Sequence, residues 1–561
     1  MLETIIKTLI FIAAAFAGVI YYKKTKSEKH NVIRVLIAVM LLVMLLSYLI
    51  PGSMVDYNYG TVNDDVVIPM NLAGLFTSFS TALNLSISMI LYIGIIAIFY
   101  AILKKSGKYE DVVNTIAYKF RNNKSLFIVL TIFILGLVSI FTGEIVVMLA
   151  FVPLLISVIR RLGYSKETSI VSTVGAILLG QAGTIYANYM NNALKMEYTE
   201  NILIKVIISA IVLVFLIAFV LLFNKKPVVE KELTKPNNKK VLPIFITFGV
   251  VFVILIMGFI PWQTFFGFKG FEEFLTSIRK TEFMGVSVFD AFIGNSSTTA
   301  PFGTWQLINA GVLFIFVDLI LAIIYKVFSI ETLIDGVKKA APYMAITVLS
   351  YIIVVLVMNS GIFYTLTMGL TKAAVNIFTV GTTAIISALS VSEYTYASNF
   401  SLVAISSSKY FSQSPENLKL ISIAFQSIYN LFLIISPVSL LLLFGLQFNN
   451  VKFKDWIKYI YKFFIVLFVT VLIIIKIMLE GFDIVGIIAL SLLVVAIILI
   501  ILMKLAFSKK IVLKVVEDEP VKESKAVVKT AEEVVEKPVV KKVSSKKPAT
   551  KKTTNKKTTK K

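Results

Sequence analysis

The sequence predicts an all-α polytopic membrane protein: about eleven transmembrane helices and two re-entrant hairpins in an inverted repeat, followed by a disordered Lys-rich C-terminal tail. Three observations lead there. Of the 561 residues, 58% are hydrophobic and 16% charged, against about 45–50% and about 25% in soluble domains. The apolar residues come in unbroken runs of about 20, the length of helix that crosses hydrocarbon about 30 Å thick. The basic residues gather in short loops between those runs, as the positive-inside rule requires.

The same composition narrows the chemistry. Without cysteine there is no disulfide, thiolate catalysis or cysteine-bound metal. The single histidine, His30, lies in a basic loop, which removes a Ser-His-Asp triad and any multi-histidine metal site. What is left is binding, exchange of a proton or cation, and movement. No cofactor is expected beyond a coupling H⁺ or Na⁺. An intramembrane enzyme has few candidate residues, since the spans carry no paired-Asp motif. A scaffold presenting the basic tail is the other rival class.

Spans are expected at about 2–22, 32–51, 83–104, 168–190, 202–224, 241–260, 305–326, 342–358, 417–447, 457–479 and 484–506. Residues 2–22 lack a basic n-region and a small-residue cleavage site and end in Tyr21-Tyr22-Lys23-Lys24, so they read as a retained helix. Lys23 to Lys29, Lys104 to Lys124, Arg160-Arg161, the 224–240 linker and Lys452 to Lys458 mark the cytoplasmic side. The loop with Asp56, Asp64 and Asp65, and the Phe- and Gly-rich loop 261–304, fall outside. The expected location is therefore the cytoplasmic membrane of a bacterium, multi-pass, N-terminus outside and C-terminus inside. Of the net charge of +23, residues 509–561 supply +10 from seventeen Lys against seven acids. That tail has no apolar periodicity and is expected to be disordered. Its charge attracts anionic lipid or RNA weakly, although a solvated tail is the plainer reading.

The order of elements repeats. Residues 32–224 form a first repeat, 225–304 a linker with helix 241–260 and an external loop, and 305–479 a second repeat that enters from the opposite face. Outside them lie residues 1–31 (a helix and basic loop), the helix within 480–508, and the tail 509–561. Each repeat contains an apolar run too long for one helix, at 125–158 and 376–408, interrupted by a small polar tip. The tips carry Thr142, Gly143 and Glu144 in the first half and Ser390, Ser392 and Glu393 in the second. Each hairpin is followed by a broken helix. The first break holds Gly180, Gln181, Gly183 and Thr184, then Asn188; the second holds Gln426, Ser427, Asn430, Ser436, Pro437 and Ser439. Irregular main chain at membrane depth survives only where protein or water satisfies it, and exposed half-helix ends bind ions of either sign. Glu144 and Glu393 occupy corresponding positions and are candidates for a coupling ion or proton, because an isolated carboxylate in the membrane is costly. Asp318 is a weaker candidate, and Lys372 reads as a snorkelling side chain.

Between about 32 and 480 the chain resembles the YfcC/DcuC family of the ion-transporter superfamily that also holds the AbgT and INDY-like families. The resemblance rests on Tyr48-Leu49-Ile50-Pro51-Gly52, on Ile93 to Gly107, on Phe151 to Gly163 with Tyr164, and most closely on Phe425-Gln426 through Trp456. It departs at the second tip, where Ser387 to Glu393 contains neither Pro nor Gly, and at the first, where Glu144 stands without an acidic neighbour. The resemblance implies a homodimer in which a transport domain of hairpins and broken helices moves against a scaffold. It also implies small-molecule substrates such as C4-dicarboxylates, basic amino acids or peptides, driven by H⁺, Na⁺ or exchange. The residues by themselves, with carboxylates and no base in the spans near the tips, lean towards an amino acid.

Overall fold

The computed structural model describes residues 30–50, 52–56, 61–66, 69–143, 145–185, 194–196, 200–223, 241–294, 299–371, 374–406, 414–481 and 491. Glu144, Asn188, Lys372, the expected helix 2–22, nearly all of 484–506 and the tail lie outside them. Residues Met1–Leu490 form one compact unit, to which everything below refers; of the other, Ser491–Lys561, only Ser491 is described. The protein is an all-α polytopic membrane protein. Among the described residues, seven helices are long and apolar enough to cross a membrane.

Helix α1 (Asn31–Leu46) leads into a strand pair the sequence reading had as loop, β1 (Gly52–Asp56) antiparallel to β2 (Thr61–Val66). Helix α2 (Leu72–Lys105) starts eleven residues before the expected span. Its early polar residues fit a helix because Thr77, Thr81 and Ser86 return their hydroxyls to carbonyls four residues back, at 3.3, 3.1 and 2.6 Å. Gly107, at φ +73°, supplies the left-handed turn into the amphipathic α3 (Lys108–Lys119). Helix α4 (Lys124–Phe141) is the first leg of hairpin one. The chain turns at Thr142-Gly143 and returns as a 3₁₀ segment, Ile145–Ala150, followed by α5 (Val152–Arg161).

The first broken helix then runs Lys166–Ile170, a π turn Val171–Gly175, Ala176–Gly180 and a 3₁₀ turn Gln181–Gly183. Helices α6 (Ile202–Phe223) and α7 (Leu242–Phe259) are spans. The segment expected as an external loop contains short helices, the longest Gly270–Arg279, and a two-residue ladder of β3 (Glu282–Phe283) with β4 (Val286–Ser287).

The second half repeats the plan: α8 (Leu307–Ile324), α9 (Ile330–Asn359), α10 (Ile362–Thr371), then hairpin two as α11 (Ile377–Ser390) and α12 (Tyr394–Ser406). The second broken helix is Pro415–Leu420, a π turn Ile421–Phe425 and Gln426–Phe432, followed after a non-helical stretch by α13 (Leu440–Asn449). Helix α14 (Phe453–Glu480) is the last described in full.

Helix α2 packs along α8 and α9 and also holds hairpin one. Tyr92 Oη donates to the Val147 carbonyl at 2.8 Å and Tyr100 Oη to Ala150 at 2.7 Å. Tyr109 Oη, on α3, reaches Pro153 at 3.1 Å. Three tyrosines thus meet carbonyls spaced three residues apart, the repeat of a 3₁₀ turn. Burial pushes the Tyr109 hydroxyl up to about 12, so it stays a donor at any physiological pH.

Removing a rung leaves a buried carbonyl unpaired. Tyr92→Phe and Tyr100→Phe are each expected to cost about 1–3 kcal/mol, read as a lower thermal midpoint of the purified protein. Tyr118→Phe, outside the ladder, is expected to leave the midpoint within error.

Candidate functional site

A helix broken inside hydrocarbon frees amides and carbonyls that lipid cannot satisfy. In the first break three of the principal donors are side-chain amides. Gln181 Nε2 donates to the carbonyls of Ser139 (2.5 Å) and Thr142 (2.8 Å), which closes the end of α4 over the break. Asn430 Nδ2 donates across the halves to the Gln181 carbonyl at 3.0 Å and within its own helix to Gln426 at 2.9 Å. Gln426 Nε2 donates to the Thr184 carbonyl at 2.7 Å. Thr184 Oγ1 and the Ile185 amide both bond Ile140 O, and Ser209 Oγ on α6 bonds the Gly180 carbonyl at 3.0 Å. These side chains are nearly or completely buried.

Two glycines make the crossing possible. A Cβ on Gly180 would sit 2.7 Å from the Gly136 carbonyl oxygen, and one on Gly183 would sit 1.9 Å from that of Lys205. Neither obstacle is a flexible side-chain end, so only glycine fits.

The second break is closed in the same manner. Ser436 Oγ donates to the Ala388 carbonyl at 2.6 Å and accepts from the Val438 amide at 3.2 Å. Tyr429 Oη donates to Val391 at 2.9 Å, and the fully buried Trp456 donates Nε1 to Ile434 at 2.8 Å. Pro437 needs no partner for a missing N–H. Beyond it Ser439 starts α13 without a side-chain cap.

The halves correspond residue by residue. Gln181 and Asn430 are 249 positions apart, and the same offset takes Thr142 to Val391, Ser139 to Ala388, Glu144 to Glu393 and the N-cap Ser165 to Ser414. Carbonyls 139 and 388, like 142 and 391, accept from the broken helix of their own half. Both broken helices carry a π turn one turn after the cap, a distortion common at functional sites.

The expected site residues are therefore sorted. Thr142, Gln181, Thr184 and Asn430 meet in one network with Gln426, and Ser139 and Ser209 are members the sequence reading did not select. Gly143 sits half-buried in the first tip, and Ser427 is buried beside Gln426. Ser390 turns its hydroxyl back to the Ile386 carbonyl. At the second tip Glu393 accepts from Tyr351 Oη of α9. Beside it in the chain, Ser392 Oγ and Tyr394 Oη are buried without a protein partner, as are Ser350 Oγ, next to Tyr351 on α9, and Thr142 Oγ1 at the other tip. Among the described residues Ser172 Oγ, in the first π turn, is likewise buried without a partner. Asp318, 7% exposed in α8, has an unpartnered Oδ1 but belongs to the helix packed on α2.

One expectation is corrected: a span packed on the first break does contain a buried base. Lys205, 2% exposed, is buried in α6, the helix that the first break packs against through Gly183. Its position in an apolar run was the available signal.

A family model described as "DcuC: C4-dicarboxylate anaerobic carrier" matches residues 4–480. The crystal structure of the Alcanivorax borkumensis YdaH transporter is similar over 80% of this chain and 98% of that one, at 10% identity and a TM-score of 0.37. No curated protein matches the chain.

The crossing is testable through one isosteric change. Asn430→Asp replaces two donated bonds with a carboxylate facing the Gln181 and Gln426 carbonyls, and is expected to cost more than Asn430→Ala, roughly 3 kcal/mol or above. Thermal melts of both variants check the order.

Proposed function

The chain belongs to the DcuC family of C4-dicarboxylate carriers and is a secondary transporter of the membrane, and from that premise we propose that its substrates are small dicarboxylates, moved by alternating access of elevator type. The observation that carries this reading is the pair of breaks related by one offset, each closed by its own hairpin and cross-linked by Asn430 and Gln426. Two copies of one motif in opposite orientation provide two interconvertible states of similar energy, which alternating access requires.

In this reading the hairpins and broken helices move together as the transport domain, because their polar bonds are mutual. Helices α2, α8 and α9 form the scaffold, in a homodimer. The Tyr92 and Tyr100 bonds to the 3₁₀ leg lie on the sliding boundary and exchange partners as it moves. A carboxylate of the substrate is bound by the unpartnered Ser and Thr hydroxyls and the half-helix N-termini, with buried Lys205 offsetting its charge. Glu393, held by Tyr351, and Glu144 at the matching position take the coupling H⁺ or Na⁺. In this reading the Arg160-Arg161 end faces the cytoplasm, which the basic loops support.

A second reading, transport of small amino acids, basic ones among them, is favoured by one feature: the Glu393 carboxylate beside unpartnered hydroxyls suits an ammonium group.

Uptake by reconstituted vesicles decides between them. A labelled four-carbon dicarboxylate is expected to accumulate against its gradient under an imposed H⁺ or Na⁺ gradient, and Glu393→Gln to abolish accumulation while leaving substrate exchange. Accumulation of an amino acid instead selects the second reading, and movement of neither contradicts both.

A further inference from the structure

Away from the breaks, at the basic end of the bundle, lies a cavity of about 380 Å³, within the roughly 300–1,000 Å³ of small-molecule sites. Three elements wall it: α3 through Glu110, α5 and the turn after it through Ser157, Arg160, Arg161 and Tyr164, and the end of α13 through Asn449. Its charged lining is two guanidinium groups against one carboxylate.

The arrangement already holds a carboxylate. Arg161 Nη2 donates to Glu110 Oε2 at 2.7 Å, and the Glu110 side chain is 65% exposed while that of Arg161 is 29% exposed. An ion pair so open to water contributes little to stability and exchanges readily. Arg160, which lines the cavity, donates Nη1 to the Tyr164 carbonyl at 2.8 Å, one of the five N–H donors of its planar fork. Asn449 Nδ2, which donates to Ser169 Oγ at 3.2 Å, and Ser157, bonded to Tyr109 Oη at 2.5 Å, add polar groups on the other walls. A fork of parallel N–H donors matches a carboxylate in geometry as well as in charge.

We propose that this cavity is a second anion site, which binds a small soluble di- or tricarboxylate. One ligand carboxylate displaces Glu110 from Arg161 and another meets the free donors of Arg160. Glu110 is then a built-in competitor that sets the affinity. The ligand joins α3, which continues from α2 through Gly107, to the return leg of hairpin one and to the helix after the second break. Occupancy therefore holds the hairpin against α2 and slows transport. The site shares no residue with the crossing, so its binding stands or falls separately from the identity of the transported solute.

The test is binding of citrate to the purified full-length protein in detergent, followed by thermal shift and calorimetry. Chloride at matched ionic strength and short-chain phosphatidylglycerol are the comparison ligands. Saturable stabilisation by citrate is expected. It should weaken about tenfold or more in Arg160→Gln and Arg161→Gln, and in Arg160→Lys, which keeps the charge but loses the fork. Glu110→Gln should tighten it. The unliganded midpoint of each variant shows that it is folded. Citrate stabilisation equal in wild type and the arginine variants, stabilisation matched by chloride, or a response to the lipid alone would each overturn the proposal.

Discussion

Everything in this protein depends on how main-chain polar groups freed at two helix breaks are satisfied inside a membrane. In water such breaks are cheap because solvent completes the hydrogen bonds; in hydrocarbon each orphaned group costs several kcal/mol. Gln181, Gln426 and Asn430 answer this by placing amide groups, each with two donors, against the carbonyls of the tip and of the opposite break. The result is neither open coil nor regular helix. It is a closed knot of main chain, with hydroxyls of Thr142, Ser392 and Tyr394 left over.

The knot also sets which parts of the molecule are rigid with respect to one another. Bonds between a hairpin and its broken helix lie within each half, and the amide bonds of Gln426 and Asn430 join the halves, so the four pieces share one set of constraints. Glycines 180 and 183 tighten that set by bringing backbone against backbone. By contrast, helix α2 meets hairpin one largely through tyrosine hydroxyls on carbonyls, single bonds that an adjacent carbonyl could replace.

Much of this was legible in the sequence, for physical reasons. Apolar runs of membrane length located the seven described spans, and Gly143 and Pro437 located a tip and a break because each disfavours continuous helix. Glu144 and Glu393 were paired by position in the sequence, and the offset of 249 that separates them is the one that relates the caps and carbonyls of the two halves. Other features were not legible. The early start of α2 was hidden because hydropathy scores Thr77 and Thr81 as polar, whereas their hydroxyls are spent on their own helix. The π turns leave no composition signal. Gln426 looked like part of a polar interruption, and its role depends on Thr184, 242 residues away in sequence. Lys205 was visible but lost inside an otherwise apolar span, which tilted the reading of the sequence towards an amino acid.

The chain contains no cysteine, so the central proposal, that solute binds at the hairpin tips through the hydroxyls the crossing leaves over, can be examined without a background of native thiols. Thr142→Cys and Ser392→Cys, introduced singly in protein that still transports, would be alkylated by a small water-soluble reagent in vesicles. The account predicts that the transported solute, at saturating concentration, slows labelling at both positions while chloride does not. Labelling of both positions unaltered by a solute that the same vesicles demonstrably carry would contradict it.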